Sequence, residues 1–208
     1  MPRSLFIFSI FYGGMVCIAG VLGAKQVALG PLAVEAGIFP FLLLVITSSA
    51  IAEIHGKDVA DKLVRFGFIP LVASILLIQI VLALPTDKGM YPPAVEAFPI
   101  ILGQGGRMMF AGLISYGLSQ TLNVYVFDKL ARPQGGLLWL RAGVASVLSQ
   151  ILDTVLFISI SFYGEREIAD LMIGQMTAKI ILSILLVPLL VTMMVKLGRN
   201  LDQSGQSA

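Results

Sequence analysis

Cysteine and histidine each occur once in the 208 residues, as Cys17 and His55, and tryptophan once, as Trp139. A lone cysteine inside an apolar run closes no internal disulfide, and with one histidine it assembles no Cys/His metal cluster. One histidine also leaves no Ser–His pair with a spare partner, which weighs against a membrane hydrolase or metalloenzyme. No cofactor and no metal are expected. Charge is scarce as well: Asp, Glu, Lys and Arg make up 12% of the chain, too few to coat a water-exposed surface. The net charge of +2 leaves no basic footprint for nucleic acid, and none is expected as a partner. No Gly-x4-Gly-Lys-Ser/Thr loop occurs, so the chain carries no cradle for ATP hydrolysis.

What is present is apolar surface. Hydrophobic residues form 57% of the chain and the mean hydropathy is +0.93. A helix needs about 20 apolar residues to cross a bilayer, and six segments have that length: 4–22, 38–54, 66–84, 107–127, 138–162 and 168–195. The fold class is therefore all-α, one polytopic integral-membrane domain with six spans, and the lipid bilayer is its first partner. The N-terminal run exceeds a signal-peptide core and lacks a small-x-small cleavage site, so it reads as the first span. Its Ala19 and Gly23 offer a small-residue face for close packing.

Between the spans, the sequence reads as loops. One carries Lys25, Pro31 and Glu35, and residues 55–62 form a short charged loop. The longest connection, 85–106, holds Pro85, Pro92, Pro93 and Pro99, then Gly103, Gly105 and Gly106. Within it Ile100, Ile101 and Leu102 are too few to span, and lie on the interface or re-enter under a protein shield. Pro133, Gly135 and Gly136 mark a tight turn, and 200–208 reads as a frayed tail.

Basic residues set the orientation. With the N-terminus in the cytoplasm, nine of them lie inside: Arg3, Lys57, Lys62, Arg65, Lys129, Arg132, Arg141, Lys196 and Arg199. Three lie outside: Lys25, Lys88 and Arg166. That bias places both termini of the multi-pass chain in the cytoplasm.

The fourth and fifth segments share a polar signature. Residues 119–127 read Ser-Gln-Thr-Leu-Asn-Val-Tyr-Val-Phe and 149–157 read Ser-Gln-Ile-Leu-Asp-Thr-Val-Leu-Phe, four identities in nine. Helical spacing aligns Tyr116, Gln120, Asn123 and Phe127 on one face, and Ser146, Gln150, Asp153 and Phe157 on the other helix. Alternating topology makes the two helices antiparallel, as in an inverted-repeat bundle. Transporters place substrates near the midplane at such interfaces. Asp153 and Lys179 are the deepest charges. A carboxylate near the bilayer centre costs about 2.5–3.5 kcal/mol on insertion scales, so such a residue pairs or lines a wet cavity. The sequence leaves open whether Lys179 pairs with Asp153 or with substrate. The candidate substrate-binding residues are Asp153, Gln120, Gln150, Asn123, Glu53, Arg107, Lys179, Phe127 and Phe157. Trp139 and Tyr163 read as interface anchors at opposite ends of the fifth span.

Glu53-Ile54-His55-Gly56-Lys57 after a span resembles the Glu-Val-Tyr-Gly-Lys signature of the VUT family, the queuosine-precursor transporters. Arg107 with Ala111, the run from Gln120 to Phe127, Leu130, and Trp139-Leu140-Arg141 are similar to it too. So are Ser146, Gln150, Asp153-Thr154, Phe157, Lys179 and Pro188. The resemblance covers 39–190. The chain departs from the family pattern at Ser49 and Asn123, where the family often has Asp, at Ala52, where it often has Asn, and at His55, where it often has Tyr. The resemblance implies import of 7-cyano-7-deazaguanine (preQ0) or a related 7-deazaguanine across the inner (plasma) membrane for tRNA modification, with a purine-like small molecule as substrate. A carboxylate can accept from such a ring's N–H and exocyclic amine, amides can meet its remaining edge, and Phe127 or Phe157 can stack on it. Two other readings suit the same length: a substrate-capture subunit of an energy-coupling-factor importer, docking through Ala19 and Gly23, or a non-transporting scaffold in which the polar stripes join helices. A homodimer stays open.

Reporter fusions test the topology. A fluorescent protein joined after Ala208 is expected to fluoresce, and alkaline phosphatase joined at Asp87 to be active. Activity of a phosphatase joined at Lys62 would reverse the assignment.

Overall fold

The computed structural model describes residues 1–30, 32–103, 106–131, 137–164 and 167–204. Pro31, Gly105, Arg132, Pro133, Gly135, Gly136, Arg166 and the last four residues of the tail, all used above, lie outside them. Eight helices and one hairpin follow in order. These are α1 (Arg3–Gly23), β1 (Gln26–Leu29), β2 (Leu32–Glu35), α2 (Ile38–His55), α3 (Lys57–Phe66), α4 (Phe68–Ala83), α5 (Pro92–Leu102), α6 (Gly106–Lys129), α7 (Leu138–Phe162) and α8 (Ala169–Ser204). Among the described residues five helical stretches are long and apolar enough to cross a membrane, with α3 and α4 counted as one. The number rises to six if α5 and α6, bent by 48° at their break, form one span.

α2 is the central element. It packs against α1, α3, α6, α7 and α8, and Leu44, Val45, Ile46, Ala50 and Ile51 on it are at most 2% exposed. Lipid tails are as apolar as leucine, so helix association rests on close packing rather than on expelling water. The chain supplies small side chains for this. Ala111, Ser115 and Ser119 on α6 are buried, as are Ala142, Ala145, Ser146 and Ser149 on α7. Gly143 lets the Pro188 ring of α8 approach, with 3.4 Å to where a Cβ would stand. Gly37 sits against the Ala19 carbonyl and Gly23 of α1.

The helix ends fix direction. Ser4 at the start of α1 donates to Asp202 near the end of α8 (Oγ to Oδ2, 2.6 Å) and its hydroxyl lies 2.8 Å from His55 Nε2 at the end of α2. The backbone N–H of Ser4 donates to the same carboxylate at 2.8 Å. Both ends of the chain therefore meet at one end of the bundle, called here the terminal end. α8 has 36 residues, about 54 Å at 1.5 Å each against an apolar slab of about 30 Å, so its last turns project beyond the slab. The Ser4 hydroxyl and then its N–H hold the Asp202 carboxyl below the usual range.

Three loop expectations are corrected. Residues 26–29 and 32–35 pair as antiparallel strands, with Gln26 opposite Glu35 and Leu29 opposite Leu32. Gly30, after the first strand, has φ +61°, a conformation glycine adopts freely. The charged run after His55 is the helix α3, which buries Ala60 and Val64, leaves Asp58, Lys62 and Arg65 exposed, and pairs Lys57 with Asp61. Helix spacing decided this over charge density. Gly56, with φ +89°, breaks α2 from α3. The tail is helical to Ser204, because Asp202 has the Ser4 contacts to hold it.

Gly67 joins α3 to α4 beneath a tyrosine pair. A methyl group there would collide with the Tyr116 hydroxyl and stand 2.9 Å from the Tyr12 ring. Gly67→Ala is expected to lower the melting temperature of the solubilised protein, at a cost of about 1–3 kcal/mol for overpacking. Gly14→Ala, with nothing within 4 Å, is its control, and equal melting of the two would refute the contact.

Candidate functional site

A cavity of about 170 Å³ lies in the half of the bundle away from the terminal end. It is bounded by the last turns of α1, the first turns of α2, the faces of α4 and α6, and the facing parts of α7 and α8. Most of its wall is apolar: Val16, Phe41, Leu44, Leu71 and Met109 contribute. Its polar groups converge from few places. Asp153 comes from α7, Lys179 and Gln175 from α8, Ser115 and Tyr116 from α6, and Glu35 from the hairpin. Phe157 lies one turn from Asp153, on the same side.

Asp153 and Lys179 form an ion pair, Nζ donating to Oδ2 at 2.7 Å. The residues are 5% and 7% exposed. Each neutralises the other, which is what lets both sit among apolar neighbours. One bond uses a small part of a carboxylate's capacity of about four, and the pair borders the cavity, so a guest can reach both signs of charge. The Lys179 ammonium also stands 5.6 Å from the centre of the Phe41 ring. The Tyr116 hydroxyl closes one wall, 3.0 Å from that of Tyr12 and donating to the Val64 carbonyl at 3.0 Å.

One turn nearer the terminal end is a buried amide cluster. Asn123 Nδ2 lies 3.1 Å from the hydroxyls of both Ser48 and Ser49. Ser48 in turn faces Gln120 Oε1 at 3.3 Å. Gln150, Gln120 and Asn123 are all fully buried. Ser49 of α2 and Asn123 of α6 are thus hydrogen-bond partners, and both are neutral.

Further on, α2, α6, α7 and α8 are clamped together. Glu53 accepts from Arg141 at 2.9 Å and lies 3.5 Å from Arg199. Arg141 also donates to the Phe127 carbonyl at 3.1 Å and covers the Phe127 ring at 4.2 Å. At the opposite end Arg107 donates to the carbonyls of Ile160 and Tyr163, the latter at 2.7 Å. α6 and α7 are therefore antiparallel, and each begins with an arginine that caps the carbonyl end of the other, where a cation is favoured.

The nine residues grouped from sequence occupy four places. Asp153, Lys179 and Phe157 line the cavity. Gln120, Asn123 and Gln150 lie beneath it. Glu53 and Phe127 belong to the clamp with Arg141, and Arg107 caps α7. Sequence reasoning left out Gln175, although an amide four residues before Lys179 in an apolar segment was a usable signal. It also took Arg141 as a topology charge and as part of the family resemblance without naming a partner, though its place inside an apolar segment called for one. Ala19 and Gly23 line the cavity, and the Ala19 carbonyl and the Gly23 backbone lie against Gly37 at the start of α2.

A helical bundle of membrane length, holding a small cavity with a buried ion pair, has the architecture of a membrane carrier for a small solute. The chain belongs to the family described as "Putative vitamin uptake transporter", which it matches over residues 35–193. It is 30% identical, over 158 residues, to the "Probable queuosine precursor transporter" of Bacillus subtilis (strain 168), covering 74% of this chain and 68% of that one. No solved structure matches.

Removing one member of a buried pair strands its partner, at a cost of about 3–5 kcal/mol. Lys179→Met and Asp153→Leu are each expected to lower the melting temperature in detergent, while the double variant recovers much of the loss. Additive losses would show that the pair is not coupled.

Proposed function

We propose that this protein is a carrier that imports a queuosine precursor, preQ0 or a related 7-deazaguanine, across the inner membrane, with both termini in the cytoplasm. The observation that supports this most is the buried Asp153–Lys179 pair opening on a cavity of about 170 Å³ between aromatic rings. That volume lies below the roughly 300–1,000 Å³ of drug-sized pockets and suits a small fused ring. The donor-rich edge of a guanine-like ring presents a ring N–H and an exocyclic amine beside a carbonyl. Asp153 accepts from the two donors and Lys179 donates to the carbonyl, so the guest satisfies both charges that lipid cannot. Phe41 and Phe157 contact its faces, and Gln175 meets the remaining edge. The name of the similar Bacillus protein and the family match support the substrate class.

The test uses a strain without its own deazaguanine synthesis, supplied with traces of each precursor, and scores queuosine in tRNA. The wild-type gene is expected to restore it. A charge-assisted hydrogen bond contributes about 1.5–3 kcal/mol, so Asp153→Asn is expected to cut initial uptake by about tenfold or more at equal membrane abundance. Wild-type uptake of no deazaguanine, or full uptake by Asp153→Asn, would overturn the assignment.

A further inference from the structure

Seven buried side-chain polar atoms have no partner among the described residues. Six of them lie within two turns of a cavity residue on α6, α7 or α8, toward the terminal end, and are called here the column: Gln120 Nε2, Asn123 Oδ1, Gln150 Nε2 and Oε1, Ser146 Oγ and Ser183 Oγ. The seventh, Ser161 Oγ, lies two turns the other way along α7. All five residues of the column are fully buried. Unsatisfied groups at this depth are costly, and a cluster of them points to a guest or water that occupies the space in another state.

The column has a direction. On each helix it starts one turn beyond a cavity residue: Gln120 follows Tyr116 on α6, Gln150 precedes Asp153 on α7, and Ser183 follows Lys179 on α8. On α2, Ser48 follows Leu44 in the same way. Every step leads toward the terminal end. There the same four helices are held by Glu53, Arg141, Arg199 and the Phe127 carbonyl.

The geometry points to a second ligand station: the column is a binding site for a hydrogen-bonding heterocycle or its water, closed off by the Glu53–Arg141–Arg199 clamp. This rests on reading the protein as a carrier, but not on which heterocycle it carries. The cavity is the loading station. Opening the clamp separates α2 from α7 and α8, wets the column and lets the guest exchange Asp153 and Lys179 for Gln150, Gln120 and Asn123. Amides donate and accept alike, so they match a mixed edge without holding it by charge. Glu53 is the hinge of the device, because it meets both Arg141 of α7 and Arg199 of α8.

Cysteine labelling tests this without any substrate. Cys17 lines the cavity and reports on the loading side. Ser183→Cys, in a Cys17→Ala background, reports on the column. Purified protein in nanodiscs is treated with a small charged methanethiosulfonate. With the clamp intact, Cys17 reacts fast and Ser183→Cys slowly. Glu53→Gln is expected to raise the Ser183→Cys rate about tenfold or more, within the 5–150-fold range typical of coupled sites, and to slow Cys17. Arg199→Gln, from the exposed side of the clamp, moves both rates the same way by less, and serves if Glu53→Gln does not fold. An unchanged Ser183→Cys rate in a folded variant, or both cysteines speeding up together as in general loosening, would overturn the station and its gate. Failure of deazaguanine uptake alongside the reciprocal labelling would instead remove only the substrate assignment.

Discussion

Lipid offers no hydrogen bonds, so every polar group in a spanning helix must find its partner in the protein or in a guest. The Asp153–Lys179 pair is where this constraint weighs most. Neither charge could stand alone at that depth, yet the pair faces a cavity rather than packed side chains. The rest of the bundle holds these two residues apart from lipid while leaving one side of them accessible.

The same constraint explains the architecture around the pair. Small residues let α6 and α7 approach closely, and arginines at their starts meet the carbonyls left over at each other's ends. Serine and threonine hydroxyls in the spans bond mostly to carbonyls one turn back, as Thr47 does to Leu43 and Thr154 to Gln150. Those groups are satisfied locally. The amides differ: Asn123 Nδ2 and Gln120 Oε1 join α6 to α2 through Ser48 and Ser49, while Gln120 Nε2, Asn123 Oδ1 and both polar atoms of Gln150 have no partner among the described residues.

Much of the fold could be read from the chain. Apolar runs of membrane length fix helices, since no other isolated segment can satisfy its backbone in lipid. The recurrence of Ser-Gln-x-Leu and Phe lies on α6 and α7, which pack against each other, but the α6 amides meet Ser48 and Ser49 of α2. The strand pair of 26–29 and 32–35 was missed because four-residue strands carry little periodicity, and α3 because its charges masked the apolar positions Ala60 and Val64.

The sequence by itself determined that the chain is a polytopic helical membrane protein, and that Asp153 and Lys179 are its costly residues. Both follow from composition and depth along single helices. Only the tertiary structure decided that these two pair with each other, that Glu53 belongs to Arg141 and not to the cavity, and that Arg107 is a helix cap. Those outcomes depend on the rotation and spacing of one helix against another, and that packing is set by side chains far apart in the chain.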